Sequence, residues 1–184
     1  VLIAFMSSKN AGARLWNASV ASGVPPKAYA QWADSVSVCI SKGLGAPVGS
    51  VVSGSADFID RVHRYRKMFG GGMRQAGILA AAGIYALDHH VARLELDHLH
   101  AKRLAIGLKE IPGIEIQPED VETNIVMLDL SRTGQTAAQV TERMKQEKVL
   151  VHPFGKTLLR LVTHLDVTGE DIENALNVFR PIFE

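Results

Sequence analysis

Lys42 closes a run of alternating apolar and small residues, Val36-Ser37-Val38-Cys39-Ile40-Ser41, and is followed at once by Gly43-Leu44-Gly45-Ala46-Pro47-Val48-Gly49. Solvated lysines belong to helix faces and polar loops, whereas a lysine at the end of a strand that reads as buried is expected to lose hydration. Desolvation disfavours the ammonium form and frees the amine to attack a carbonyl, which is the chemistry of a Schiff-base lysine. Three arginines accompany it. Arg14 follows Ala11-Gly12-Ala13 at an expected helix start, Arg74 follows the triple glycine Gly70-Gly71-Gly72, and Arg160 interrupts the apolar run from Leu158 to Thr163, where a charge is costly unless paired. Guanidinium forks suit carboxylates and phosphates, so the set combines covalent capture of a carbonyl with anion binding. Simpler roles compete: a surface lysine, an ion pair of Arg160 with Asp166 or Asp129, a surface Arg14 at a helix start, and Arg74 as a brace for the glycine loop.

The elements that must position these residues follow from periodicity. Helices are expected over 13–22, ended by Gly23 and Pro25-Pro26, and briefly over 29–32. Strands are expected at 34–40 and 48–52, joined by the glycine-rich turn. An amphipathic helix over 56–69 precedes the triple glycine, and a helix apolar nearly all round, over 73–90, follows it. Such a helix is buried in a large domain or at a subunit contact. A charged amphipathic helix over 91–111 ends at Pro112-Gly113. Beyond it, strands at 114–117, 124–130, 149–152 and 158–163 alternate with helices at 136–148 and 170–183, which describes a small α/β sandwich.

Composition bounds the partners. With 184 residues, 47% hydrophobic content and a formal net charge of +1, the chain offers no electrostatic case for nucleic acid or an anionic membrane. The apolar stretch Val1 to Met6 is too short to cross a bilayer and lacks signal-peptide features. The single Cys39 inside an apolar strand reads as a buried thiol, so a cytoplasmic setting is expected. Asp88, His89, His90, Asp97, His98 and His100 crowd one region, but His89 meets Arg93 at i+4, His90 meets Leu94 and His98 meets Lys102. A solvated face, with no metal, is the reading. His164 either lines a pocket or is structural.

A Schiff-base lysine with anion-binding arginines fits pyridoxal phosphate, whose phosphate, ring nitrogen and amino-acid adduct each need a dedicated group. Four motifs in order carry a more specific resemblance. They are Gly12-Ala13-Arg14-Leu15-Trp16-Asn17; Asp34-Ser35-Val36-Ser37 through Ser41-Lys42-Gly43-Leu44-Gly45-Ala46-Pro47-Val48-Gly49; Arg66-Lys67-Met68-Phe69-Gly70-Gly71-Gly72-Met73-Arg74-Gln75-Ala76-Gly77; and Glu122-Thr123-Asn124 with Arg160-Leu161-Val162-Thr163-His164-Leu165-Asp166. From Gly12 to the C-terminus the chain resembles the low-specificity L-threonine aldolases, fold-type I pyridoxal phosphate enzymes with the aspartate aminotransferase-like α/β architecture.

The resemblance implies roles. Lys42 matches the lysine that holds the cofactor, Arg160 the main carboxylate-binding arginine, Arg14 an arginine near cofactor and substrate carboxylate, and Arg74 a cofactor-approaching arginine of the glycine loop. It implies cleavage of L-threonine or L-allo-threonine to glycine and acetaldehyde, with a site built at a dimer interface in a dimer or tetramer. The family's ring-nitrogen aspartate falls on Ala11, and its phosphate loop and ring-stacking histidine have no counterpart here. A start without methionine points to a chain that begins partway through a longer one, and the expected organisation is a C-terminal portion of such an enzyme: an atypical leader over 1–10, a partial cofactor-binding large domain over 11–92 and a small domain over 93–184. The alternatives are a non-catalytic homologue that acts as an interaction or dimerisation protein, or another fold-type I activity such as a serine hydroxymethyltransferase or a β-eliminating lyase.

Overall fold

β-Branched and small residues alternate through Ser35–Cys39, and in the computed structural model, which describes residues 10–183, this segment is the central strand of a three-stranded sheet. The described chain divides into two compact units between Leu94 and Glu95. Residues 1–9 of the expected leader lie outside the described residues, while Asn10 opens the first strand.

In the first unit the elements are β1 (Asn10–Gly12), α1 (Leu15–Ser22), α2 (Pro26–Ala30), β2 (Ser35–Cys39), β3 (Ser50–Gly54), α3 (Ala56–Met68) and α4 (Gly77–His89). β1 runs parallel to β2, with Gly12 opposite Val38, and β3 runs antiparallel to β2, with Cys39 opposite Ser50. The short β1 was not among the expected strands. Gly23 takes φ +70° to cap α1, a left-handed conformation that suits glycine, and Pro26 then stands at the first turn of α2. The proline pair thus starts a helix as well as following one. Ser55 caps α3 by accepting a bond from the Phe58 amide.

The apolar helix α4 is not buried within this unit, the first of the two settings expected for it. Only Gly83 and Ala86 on it are buried, while Ile78 is 81% exposed and Ile84 and Tyr85 more than half exposed. Its composition is that of an interior helix, yet the unit supplies only a small cluster, Ile40, Leu44, Ala46, Ala86 and Leu94, for it to pack against. Cys39 is also only half-buried; the Ser50 hydroxyl donates to its sulfur at 3.4 Å.

The second unit begins within α5 (Leu94–Lys109) and adds β4 (Ile125–Asp129), α6 (Ala137–Gln146), β5 (His152–Pro153), β6 (Leu158–Val162) and α7 (Gly169–Phe183). Its sheet has the order β4-β6-β5 and is wholly antiparallel. Alternation divides its two faces. Val126, Leu128, Leu159 and Leu161 enter a core shared with Leu104, Leu108, Leu176 and Phe179, while Met127 and Arg160, directly paired in register, lie on the other face. Each fully buried leucine or phenylalanine contributes about 1.5–3 kcal/mol, so this unit carries a core of its own.

Two expected strands shrink. Residues 114–117 make only a bridge between Glu115 and Asp129, because Pro118 opens a 3-10 turn immediately afterwards. The 149–152 strand becomes His152–Pro153, whose proline has no amide to extend the ladder. The reading of the histidine region as a solvated face holds for Asp88 and His89 and is corrected at Asp97 and His100. Asp97 is fully buried and His100 nearly so, because they fall on the same α5 stripe as Ala101, Leu104 and Leu108; the Asp97 carbonyl accepts the Thr163 hydroxyl at 2.6 Å. Burial holds the His98 imidazole below its ordinary pKa, against the pull of Asp97 and Glu95.

Candidate active site

Lys42 stands in a turn three residues beyond the end of β2. The turn is closed by its own backbone: Ile40 donates to the Gly49 carbonyl at 3.2 Å, Gly45 to the Lys42 carbonyl at 2.8 Å and Ala46 to the Ile40 carbonyl at 3.1 Å, with the Ser41 hydroxyl on the Gly49 carbonyl at 3.3 Å. Gly45 and Gly49 take φ of +66° and +108°, which explains their glycines. Leu44 is buried beneath the turn, and its carbonyl lies 2.6 Å from His90 Nδ1.

The expected burial of Lys42 is not found. Its side chain is exposed, because Leu44 and Ala46 take the interior positions of the turn and Lys42 is left facing outward. What fixes the lysine is the backbone beside it. A Cβ on Gly43 would lie 2.9 Å from Leu94 Cδ2 and 3.0 Å from Asn17 Oδ1, both on buried residues, so only glycine lets the turn approach α1 this closely. Gly43→Ala is expected to destabilise the chain by about 1–3 kcal/mol through overpacking, read as a lower urea midpoint with unchanged slope.

Arg14 is half-buried at the N-cap position of α1, where its carbonyl accepts the Ala18 amide at 3.0 Å. Since β1 and β2 are parallel and in register at Gly12 and Val38, Arg14 and Lys42 both follow the carboxyl ends of adjacent strands. That edge is where open α/β sheets bind ligands. Arg74 is exposed in the bend between α3 and α4, next to Gln75 with φ +51°, a left-handed conformation unusual for a side-chain-bearing residue.

Arg160 belongs to the second unit. Its Nε is buried with no hydrogen-bond partner among the described residues, and its Cζ lies 5.7 Å from the centroid of the Phe154 ring. The carboxylates weighed against it are engaged elsewhere. Asp166 is exposed, with Oδ2 3.5 Å from His164 Nδ1 and its amide donating to that nitrogen at 3.3 Å, and Asp129 accepts the Ser131 amide at 2.9 Å. That amide, with the Thr157 side chain, holds the Asp129 carboxyl below its ordinary range. A buried guanidinium N–H without a partner is costly in a merely structural arginine, which is why this one stands out.

Periodicity missed Asn17, His90 and Phe154. The one visible signal for Asn17 is a polar residue between Trp16 and Ala18 on an apolar helix face; the hairpin that brings Phe154 to Arg160 has no local signature. Among the described residues no group of three or more His, Cys, Asp or Glu is placed to hold a metal ion.

Relatives resemble this chain along most of its length. It is 49% identical over 162 residues to the low specificity L-threonine aldolase of Escherichia coli, covering 88% of this chain and 46% of that protein. It is 42% identical over 170 residues to the low-specificity L-threonine aldolase 1 of Arabidopsis thaliana, covering 92% and 48%. The chain thus spans about half the length of the curated relatives it matches. A Listeria monocytogenes structure assigned as an L-allo-threonine aldolase superposes with a TM-score of 0.73 at 17% identity, over 92% of this chain and half of that one. An 8-amino-7-oxononanoate synthase from Francisella tularensis follows at 0.57 and 18% identity, over 80% and 45%. The fold is that of part of a fold-type I subunit. Residues 11–131, from β1 through Lys42 to just past β4, match the beta-eliminating lyase family, and the chain belongs to that family.

Proposed function

We propose that this chain supplies the covalent lysine and the carboxylate-binding arginine of a pyridoxal phosphate-dependent lyase that cleaves L-threonine or L-allo-threonine to glycine and acetaldehyde. The observation that carries it is Lys42 itself: an accessible amine on a turn locked beyond the carboxyl end of β2, in a family whose members depend on pyridoxal phosphate. The residue types, each within its own unit, fit the chemistry of two groups of such a cofactor–substrate system. Lys42 offers an exposed nucleophile, and Arg160 offers a buried N–H with no partner among the described residues. Ala11 brings no carboxylate to a ring nitrogen, so that support is lacking in this chain.

Bound pyridoxal phosphate serves as an electron sink for the bond broken at Cα. This chain's part is to orient the reactants. Arg160 would hold the α-carboxylate in a fork, Arg14 would add positive charge beside Lys42, Arg74 would approach the cofactor of the same or a neighbouring subunit, and Lys42 would hold or return a proton at its Nζ. A homodimer or homotetramer, a cytoplasmic setting and a place in threonine breakdown with glycine formation belong to the same proposal. The exposed Ile78, Ile84 and Tyr85 of α4 support assembly.

The test is to incubate the chain with pyridoxal phosphate, trap any covalent adduct with borohydride and map it by peptide mass, then assay acetaldehyde from both threonine isomers. An adduct on Lys42 is the expected result. Absence of any adduct at millimolar cofactor removes the enzymatic reading for this chain. It then leaves the non-catalytic interaction protein, which the apolar face of α4 and Ala11 favour.

A further inference from the structure

We propose that Phe154 is a positioning residue for Arg160, holding the guanidinium in the orientation that receives an α-carboxylate; this rests on the reading of Arg160 given above. Hairpin geometry puts the two together. His152 pairs with Arg160 and Pro153 with Leu159, and the Phe154 amide then donates to the Leu158 carbonyl at 2.8 Å, with Gly155 on the same oxygen at 3.3 Å. Leu158 and Arg160 share a face of β6, so Phe154, opposite Leu158, is the diagonal neighbour of Arg160, within reach of an aromatic and a long side chain.

The ring has no part in the core. Phe154 is 59% exposed and absent from the buried cluster that Leu159 and Leu161 join, so apolar burial does not account for its place. Arg160, for its part, is half-buried with its Nε fully covered: that Nε has no acceptor among the described residues, and the described contact to its guanidinium is the ring, 5.7 Å from Cζ. An arginine held only by its own stem samples many rotamers, and selecting one on binding weakens affinity. A ring beside the cation removes that freedom while leaving the N–H groups, which point outward in the guanidinium plane, for an anion. The hairpin is thus a preorganising arm for a carboxylate site.

Nitrogen-15 NMR of the 184-residue chain reads the Arg160 Nε–H directly. The signal is expected to be displaced by the ring and protected from exchange; Phe154→Leu should return it toward the random-coil position and speed its exchange, whereas Phe154→Tyr should preserve it. Titration with glycine as probe should shift the same signal, with about 3- to 5-fold weaker affinity in Phe154→Leu and near-normal affinity in Phe154→Tyr. A Phe154→Leu signal that matches the wild type overturns the role of Phe154, as does equal glycine affinity in the two proteins. A wild-type signal that ignores glycine, while still responding to Phe154→Leu, instead removes Arg160 from the carboxylate and takes the positioning role with it.

Discussion

Lys42→Ala is expected to abolish the covalent adduct with pyridoxal phosphate and to lower any aldol-cleavage rate by on the order of 10^4-fold or more, the scale on which deletion of a covalent nucleophile acts. The same substitution should leave stability within about 0.5 kcal/mol of the wild type, since Lys42 is exposed and its turn is held by backbone bonds among Ile40, Lys42, Gly45, Ala46 and Gly49 that alanine retains. This combination separates the proposed role from its rivals. A surface lysine predicts no change in either measurement, and a lysine that only balances charge predicts rescue by Lys42→Arg. The arginine variant keeps a cation but has no amine that can condense with a carbonyl, so it should be as inactive as alanine. Borohydride trapping and peptide mapping read the adduct without turnover, and urea titration reads the stability. An adduct that persists in Lys42→Ala on another lysine would remove Lys42 from the proposed site.

The exposure of Lys42 marks the limit of what its sequence could reveal. Alternation in Val36-Ser37-Val38-Cys39 located the strand correctly, and the glycines located the turn, because both are local consequences of side-chain period and left-handed backbone. Which turn residues enter the interior depends on α1 and on Leu94, distant in sequence, and there Leu44 and Ala46 displaced the lysine. The same distinction explains α5. Its helical period was legible, but the burial of Asp97 and His100 depends on which stripe the rest of the second unit covers, and charge alone suggested solvent. α4 shows the converse: a composition that reads as interior, on a helix with Ile78, Ile84 and Tyr85 exposed in this chain. The candidate site was legible through motif resemblance more than through physics. The run around Lys42 and the strand around Arg160 signalled chemistry, whereas Asn17 showed only as a polar residue on an apolar helix face and Phe154, which meets Arg160 through the hairpin, carried no local pattern.

Arg160 provides the sharper test, because function and stability should move in opposite directions. Arg160→Lys keeps the charge but replaces a planar fork with a single ammonium, and Arg160→Leu removes charge and fork together. For an arginine that clamps the substrate α-carboxylate, the loss in Arg160→Leu is about 2–4 kcal/mol, roughly 30- to 900-fold in KM, with the lysine variant between it and the wild type. Stability should behave otherwise. The buried Nε has no hydrogen-bond partner among the described residues, so the shorter leucine, which ends at about the level of the arginine Cδ, removes an unsatisfied donor and a ring contact rather than a hydrogen bond. Arg160→Leu is therefore expected to match the wild type or exceed it by up to about 1 kcal/mol, in a strand whose neighbours Leu159 and Leu161 remain packed in the core. A structural ion pair would give the reverse, with Arg160→Leu destabilised and KM unaffected. Asp166, exposed beside His164, and Asp129, held by the Ser131 amide, are the carboxylates such a pair would require. Measured side by side, the urea midpoint and the KM for L-allo-threonine thus distinguish a residue kept for its ligand from one kept for the fold.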